Sequence, residues 1–173
     1  MRITLRKTNS NGNTAMTTRI FLHGLDSSGS GTKGNYFSTR FPDMMRPDFS
    51  GTLQERMTQL YTLVGDDGDF IVVGSSFGGL MGACLAIEHP DRIRRLILLA
   101  PALNFHEFRI PHRKIATETL LVIGKGDVVT PPDIVVPAAE ATFANLQLSI
   151  ADDDHLLHHT YTDLNWDYLL RRN

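Results

Sequence analysis

The chain has 173 residues, 42% of them hydrophobic and 21% charged, which is the balance of an ordinary globular protein with one domain. Its formal net charge of −2 gives no electrostatic reason to expect nucleic acid or an anionic membrane as a partner. The single cysteine excludes an internal disulfide and a thiolate metal cluster, and it favours a reducing compartment.

The N-terminal residues 1–18 are polar and rich in Thr, Asn and Ser, unlike a secretory signal peptide. No apolar run approaches the ~20 residues that a membrane helix requires. A cytoplasmic protein without a membrane partner is therefore predicted. Residues 1–18 form either an extension or, because residues 2–7 alternate polar and apolar side chains, an edge strand. Residues 19–173 are predicted to form one domain.

Short apolar runs then alternate with stretches of helical spacing. The apolar runs predict six strands, at residues 19–22, 44–46, 70–74, 93–100, 120–123 and 146–150. Helices are predicted at residues 32–41, 52–64, 77–88, 130–144 and 156–171. Thr130 is the expected N-cap of the fourth helix, and a break is expected near Asn165 in the fifth.

This alternation predicts a mostly parallel sheet covered on both faces, which is a three-layer α/β/α sandwich. The sheet has six strands, or seven if residues 2–7 add one. In sheets of this kind, sites form beyond the carboxyl ends of the strands. The residues that directly follow each predicted strand are therefore the candidates for function.

The strongest such candidate lies at residues 74–78, where Gly-Ser-Ser-Phe-Gly forms a G-x-S-x-G motif between a strand and a helix. In this context the middle serine occupies a sharp, strained turn that projects its hydroxyl above the sheet. Flanking glycines let the strand and the helix approach each other. Ser76 is therefore the predicted nucleophile, and Ser75 is expected to point elsewhere. The alternative is a glycine-rich turn whose serine has no chemical role.

The first predicted strand ends at His23-Gly24. Where a serine acts as nucleophile, the developing oxyanion is stabilised by two backbone N–H groups. One follows such a strand, and the other belongs to the residue after the serine. Leu25 and Phe77 are the predicted donors. A structural role, hydrogen bonding to the loop, is favoured for His23. The candidate substrate contacts are His23, Gly24, Tyr36 and Val128.

An aspartate and a histidine follow the last two predicted strands. Asp127 is placed to orient a histidine and to stabilise its imidazolium, although a solvated turn aspartate is the alternative. His155 is placed to take the proton of the nucleophile. His158 and His159 compete with it, but they lie further along, inside the predicted helix.

The run of three aspartates at residues 152–154 also suggests a cation site, because hard cations prefer oxygen ligands. Consecutive side chains splay apart, however, and no second acidic cluster follows a comparable strand. Neither a metal nor a cofactor is predicted. The alternative for this run is a solvated acidic loop that raises the basicity of His155.

The order Ser76, Asp127, His155 is the order of α/β hydrolases. With Phe-Leu-His-Gly-Leu-Asp-Ser-Ser at residues 21–28 and Gly-Ser-Ser-Phe-Gly-Gly at residues 74–79, the sequence resembles that superfamily, especially small capless bacterial serine esterases. The resemblance runs from about residue 19 to the last helix. It implies a minimal α/β-hydrolase fold, a triad of these three residues, and hydrolysis through an acyl-enzyme.

The chain departs from the family pattern in two places. The antiparallel strands that usually open the sheet are missing or reduced to residues 2–7. Residues 102–119 are too few for a helical cap domain, so an open site is expected. This segment also carries basic side chains that either attract an anionic substrate or form a solvated face. They are His106, Arg109, His112, Arg113 and Lys114.

The sequence thus predicts a serine hydrolase for a small-molecule ester or thioester. Two alternatives remain open. One is a catalytically silent scaffold that binds a ligand or a protein, because a fold does not guarantee a function. The other is an acyltransferase that uses an acceptor other than water. The oligomeric state is not predicted.

Overall fold

The computed structural model of the protein describes residues 16–172 and contains a parallel sheet of five strands in sequence order. The strands are β1 (Thr18–Leu22), β2 (Phe70–Ser75), β3 (Ile93–Leu99), β4 (Thr119–Gly124) and β5 (Leu146–Ala151). The helices are α1 (Thr32–Arg40), α2 (Leu53–Val64), α3 (Phe77–Glu88), α4 (Pro132–Thr142), α5 (Thr160–Asp163) and α6 (Trp166–Leu169). The parallel α/β architecture predicted from the sequence is confirmed.

The count of six strands is not confirmed in the described part of the chain. Residues 44–46 contribute a single bridge, between Ile20 and Met45, rather than a strand. Pro47 follows directly and has no N–H to extend a ladder. The possible seventh strand, residues 2–7, lies outside the described residues, as do residues 1–15 of the predicted extension.

Helices cover both faces of the sheet. Strand side chains point alternately to the two faces, because the side-chain period of a strand is two. Val72 packs into the core beneath α2, α3 and α4, whereas its neighbour Val73 packs into the core beneath α1, α5 and α6. Trp166, only 1% exposed, is the largest side chain of the second core and donates its indole N–H to the Tyr161 carbonyl.

Two predicted helices differ from the observed ones. Residues 156–171 contain the short helices α5 and α6, so the predicted break near Asn165 is confirmed, whereas the predicted start at residue 156 is wrong because α5 begins at Thr160. Leu164 is extended between them, and the Asn165 side chain caps α6 by accepting a hydrogen bond from the Tyr168 N–H. Helix α4 begins after Pro131, so Thr130 lies outside it and does not cap it.

The connection between β3 and β4, residues 100–118, consists of turns, bends and extended chain. The absence of a cap domain stays a prediction. No helix within residues 16–172 is long and apolar enough to cross a bilayer.

The chain leaves β1 and β2 towards opposite faces of the sheet. Helix α1 follows β1 and packs in one core, whereas α3 follows β2 and packs in the other. Diverging connections open a crevice at the carboxyl ends of the two strands, and this is where α/β sheets bind ligands. The residues after Leu22 and after Ser75 border this crevice.

Candidate active site

Ser76 lies in a sharp turn between β2 and α3. Its backbone has φ 54° and ψ −115°, which places a non-glycine residue in a strained region. The turn is held by hydrogen bonds from the Ser76 N–H to the Leu99 carbonyl, and from the N–H groups of Gly79 and Ala102 to the Ser76 carbonyl, each 2.9 Å. The backbone around this serine is therefore fixed in a single conformation by several elements.

Glycines around the turn permit this geometry. A Cβ atom at Gly74 would lie 2.4 Å from the Gly78 carbonyl oxygen. A Cβ atom at Gly78 would lie 2.0 Å from the Leu22 carbonyl oxygen. Strand and helix approach so closely that neither position has room for a side chain. This is the crowding expected for the motif, and it directs the Ser76 side chain away from the sheet.

The three residues predicted for the triad lie together. Ser76 Oγ is 3.0 Å from His155 Nε2, and His155 Nδ1 is 2.8 Å from Asp127 Oδ2. The Asp127 side chain is fully buried, whereas that of His155 is 20% exposed. A buried carboxylate that holds one ring nitrogen leaves the other nitrogen free to accept a proton from the hydroxyl. His158 and His159 are exposed, and His158 instead lies 3.3 Å from Asp154.

The Asp127 carboxylate is fixed by the loop that follows it. Oδ1 accepts hydrogen bonds from the N–H groups of Val129 and Thr130, at 2.9 and 2.8 Å. Oδ2 accepts one from the Thr130 hydroxyl at 2.6 Å. The same hydroxyl is 3.2 Å from His155 Nδ1, so Thr130 contacts both members of the pair.

The sequence pattern does not reveal this role of Thr130, because a threonine before two prolines predicts a helix cap. The signal that was available is the Asp-x-x-Thr spacing in a turn, in which an aspartate accepts hydrogen bonds from residues two and three positions ahead.

Another glycine brings His155 to Asp127. A Cβ atom at Gly124, the last residue of β4, would lie 2.3 Å from the Asp153 carbonyl oxygen. That carbonyl also accepts a hydrogen bond from the Gly126 N–H at 3.1 Å. The loop after β5 therefore lies directly on the loop after β4, and the two side chains meet.

The three aspartates before His155 point to separate partners. Asp152 pairs with Lys125, Asp153 accepts from the Thr160 hydroxyl, and Asp154 accepts from the Leu156 N–H. Desolvation acts to raise the pKa of Asp153, but hydrogen bonds from Thr160 and from nearby backbone N–H groups outweigh it and lower the pKa to about 2. No group of three His, Cys, Asp or Glu side chains within residues 16–172 is arranged to hold a metal ion.

Leu25 and Phe77, the two predicted oxyanion donors, line the same cavity as Ser76. Among the described residues, neither the N–H of Leu25 nor that of Phe77 donates to a protein acceptor. The loop after β1 passes close to the nucleophile, since a Cβ atom at Gly24 would lie 3.5 Å from Ser76 Cβ. Both residues therefore border the crevice, and their use as oxyanion donors stays a prediction.

A cavity of about 760 Å³ opens beside Ser76 and His155. One wall is aromatic, with the rings of Phe77 and Phe105 packed edge-on at 5.2 Å between centroids. The polar side chains in the lining include Lys33, whose ammonium donates to the Leu156 carbonyl at 2.7 Å. The volume of the cavity suits a small molecule.

Of the four candidate substrate contacts, the structure places only Gly24 in the lining of this cavity. The His23 ring is buried behind the loop, with Nδ1 2.7 Å from the Gly24 carbonyl and Nε2 accepting from the Phe49 N–H. Tyr36 packs edge-on against Tyr161 instead.

Val128 is 86% exposed and points to solvent outside the cavity. Of the five basic side chains in residues 102–119, only His106 reaches the lining. The remaining four are exposed and lie outside the lining, which favours the solvated face over the attraction of an anionic substrate.

Comparison with known proteins agrees with this architecture. A family model described as the alpha/beta hydrolase fold matches residues 52–117. Lipase LipV of Mycobacterium tuberculosis is 29% identical over 111 residues, which are 61% of this chain and 41% of that protein. The chain thus spans about two fifths of the length of this curated relative.

Solved structures show the same likeness. Alpha/beta hydrolase domain-containing protein 10 from mouse has a TM-score of 0.66 at 19% identity, over 87% of this chain and 86% of that chain. Est1E from Butyrivibrio proteoclasticus, in a structure with ferulic acid bound, has a TM-score of 0.68 at 18% identity, over 84% of both chains. The protein therefore has the α/β-hydrolase fold. The resemblance of its sequence to the α/β-hydrolase superfamily is confirmed.

Proposed function

We propose that the protein is a serine hydrolase that cleaves small carboxylic esters or thioesters through an acyl-enzyme. The observation that carries this proposal is the hydrogen-bonded line from Asp127 through His155 to Ser76, which ends at an open cavity. The strained backbone at Ser76 supports the proposal, because strain of this kind persists only where the surrounding structure imposes it, and such residues cluster at active sites.

The reaction begins when Ser76 Oγ attacks the acyl carbonyl carbon and His155 Nε2 takes the hydroxyl proton. Asp127 holds the imidazole in the required orientation and stabilises its charged form. The carbonyl oxygen becomes an oxyanion and accepts hydrogen bonds from the N–H groups of Leu25 and Phe77.

The carbon–oxygen or carbon–sulfur bond to the leaving group then breaks, and His155 gives its proton to the departing alkoxide or thiolate. In the second half of the cycle, His155 takes a proton from water, and the water oxygen attacks the acyl carbon. The bond from that carbon to Ser76 Oγ then breaks, the acid leaves, and His155 returns the proton to Ser76. Each proton that His155 takes up, from Ser76 or from water, is returned to the leaving group or to Ser76, so the proposed steps balance without a cofactor.

The test is steady-state hydrolysis of short-chain p-nitrophenyl esters by the full chain. We expect Ser76→Ala to lower kcat about 10⁴-fold or more, because triad members act as a unit. Ser38→Ala, on α1 and outside the cavity lining, is the matched control and should keep its activity. Thermal unfolding checks that both variants fold.

Other outcomes would overturn the proposal. A folded wild type with no turnover would favour the silent scaffold, and an active Ser76→Ala variant would rule out Ser76 as nucleophile. If added alcohol captured most of the acyl group at the expense of the free acid, acyl transfer rather than hydrolysis would be the reaction.

A further inference from the structure

Arg56 is a buried cation beside the candidate active site. It lies in the first turn of α2 and is only 4% exposed. Burial lowers the pKa of its guanidinium from the usual value, and the charge of nearby Asp26 acts in the opposite direction. No carboxylate of residues 16–172 lies within ion-pair distance of it. A buried charge without an ion-pair partner is costly, so its retention calls for an explanation.

The partners of this guanidinium are two carbonyls and a ring. Nε donates to the Gly51 carbonyl and Nη2 to the Leu25 carbonyl, each at 3.2 Å. The guanidinium carbon lies 5.3 Å from the centre of the Phe77 ring, within the range of a cation–π contact. Nη1 is buried and has no hydrogen-bond partner in the described protein.

Two of these partners, Leu25 and Phe77, are the residues whose N–H groups are the proposed oxyanion donors. We propose that Arg56 is a positioning residue that fixes both halves of the oxyanion hole. This inference rests on the proposed function. It assigns a role to a residue outside the triad and outside the cavity lining.

The contact with Leu25 acts on a segment that needs an anchor, and the contact with Phe77 adds to those that already hold the turn at Ser76. Leu25 lies in a loop beyond the end of β1, and its side chain is 51% exposed, so packing does not hold it. A buried donor on its carbonyl restricts rotation of the adjoining peptides. The ring contact holds Phe77 at the start of α3. Oxyanion donors are effective when they are fixed before the reaction begins.

Arg92 provides a matched control. Its guanidinium also donates to backbone carbonyls, including those of Val64 and Gly65, and it also lies 5.3 Å from a phenylalanine ring, that of Phe70. It precedes β3 and therefore lies at the amino ends of the strands, away from Ser76. The two arginines share these kinds of contact, but Arg92 is only partly buried and lies at the opposite end of the strands from Ser76.

The experiment compares kcat and KM for p-nitrophenyl acetate in the wild type, Arg56→Met, Arg56→Lys and Arg92→Met. Because the oxyanion forms only in the transition state, Arg56→Met should lower kcat about 10²-fold and change KM by less than about threefold. Arg56→Lys keeps the charge and one donor, so its kcat should lie between that of the wild type and that of Arg56→Met. Arg92→Met should lower the unfolding temperature and leave kcat unchanged.

Wild-type activity together with an unchanged kcat in Arg56→Met would overturn this proposal and leave the proposed function intact. An equal loss of kcat in Arg92→Met would also overturn it. If Arg56→Met does not fold, Arg56→Lys decides. Should neither fold, Arg56 supports the whole fold and the specific role is wrong. Absence of wild-type activity would overturn the proposed function, and this inference with it.

Discussion

Thr130 contacts Asp127 and His155 through one hydroxyl, and Thr130→Val removes that hydroxyl while keeping the side-chain shape. A hydrogen bond to a charged group contributes about 1.5–3 kcal/mol, so we expect kcat to fall about 10- to 100-fold. Thr130→Ser keeps the hydroxyl and is the control, with kcat close to that of the wild type. Equal kcat values in both variants, measured on folded protein, would contradict a role for the hydroxyl.

For single residues, the sequence predicts candidate catalytic side chains where their place after a strand is enough to identify them. Ser76, Asp127 and His155 each directly follow a predicted strand, and the structure brings them together. Thr130 and Arg56 were not predicted. Their roles depend on the direction of a side chain relative to groups from other segments, which a linear pattern does not encode.

Helix α3 meets strand backbone at Gly78 and strand side chains at Gly82, and this pair of glycines tests the closeness of the contact. Gly78→Ala would place a Cβ atom 2.0 Å from the backbone oxygen of Leu22, so we expect a loss of about 3 kcal/mol or more in the free energy of unfolding. At Gly82 the neighbours are methyl groups of Leu96 and Val72, at 3.2 and 3.3 Å.

These methyl groups can shift, and alanine favours a helix over glycine by about 1 kcal/mol. Gly82→Ala should therefore change the unfolding free energy by less than about 1 kcal/mol. Urea unfolding followed by circular dichroism measures both. Similar changes in the free energy of unfolding for the two variants would show that the close backbone contact at Gly78 does not limit the size of the side chain there.

The loop between β5 and α5 has a pH dependence set by Asp153. Its pKa is about 2 in the folded protein against 3.8 ordinarily, so the ionised carboxylate stabilises the fold. That contribution is complete above about pH 5 and is lost as the pH falls through 3.8 towards about 2. Asp153→Asn should therefore be less stable than the wild type at neutral pH, and the difference should shrink below about pH 4.

Urea unfolding over this pH range measures the difference. Asp152→Asn is the control in the same run, because Asp152 is 89% exposed and its ion pair with Lys125 should contribute little. If the free energies of unfolding of the wild type and Asp153→Asn differed by the same amount down to about pH 3, the lowered pKa of Asp153 would be contradicted.

At the scale of elements, the buried strands were predictable because they are continuous apolar runs of the length expected for strands. Residues 44–46 were wrongly predicted as a strand, and the last helical segment begins later than residue 156, although its break near Asn165 was predicted. Residues 44–46 are too few for their apolar character to show whether they pair with β1 along a strand or, as observed, at a single bridge. The last segment has helical spacing, but an extended Leu164 and the Asn165 cap divide it.

For the whole molecule, the parallel sheet explains why distant residues meet. Ser76 and His155 are 79 positions apart along the chain, yet each follows a strand whose carboxyl end lies at the same edge of the sheet. This rule of topology made the site predictable from the sequence. The cavity was not predictable, because side chains from several separate loops shape it, and Tyr36 and Val128 turned out to point away from it.

In the proposed reaction, Ser76 is a nucleophile that His155 activates. The most direct test is intact-protein mass spectrometry after treatment with a fluorophosphonate probe, followed by peptide mapping. We predict one probe per chain, attached to Ser76, and loss of labelling in a folded His155→Ala variant, because the serine then lacks its base. Absence of labelling in the folded wild type, labelling at another residue, or undiminished labelling in His155→Ala would contradict the account.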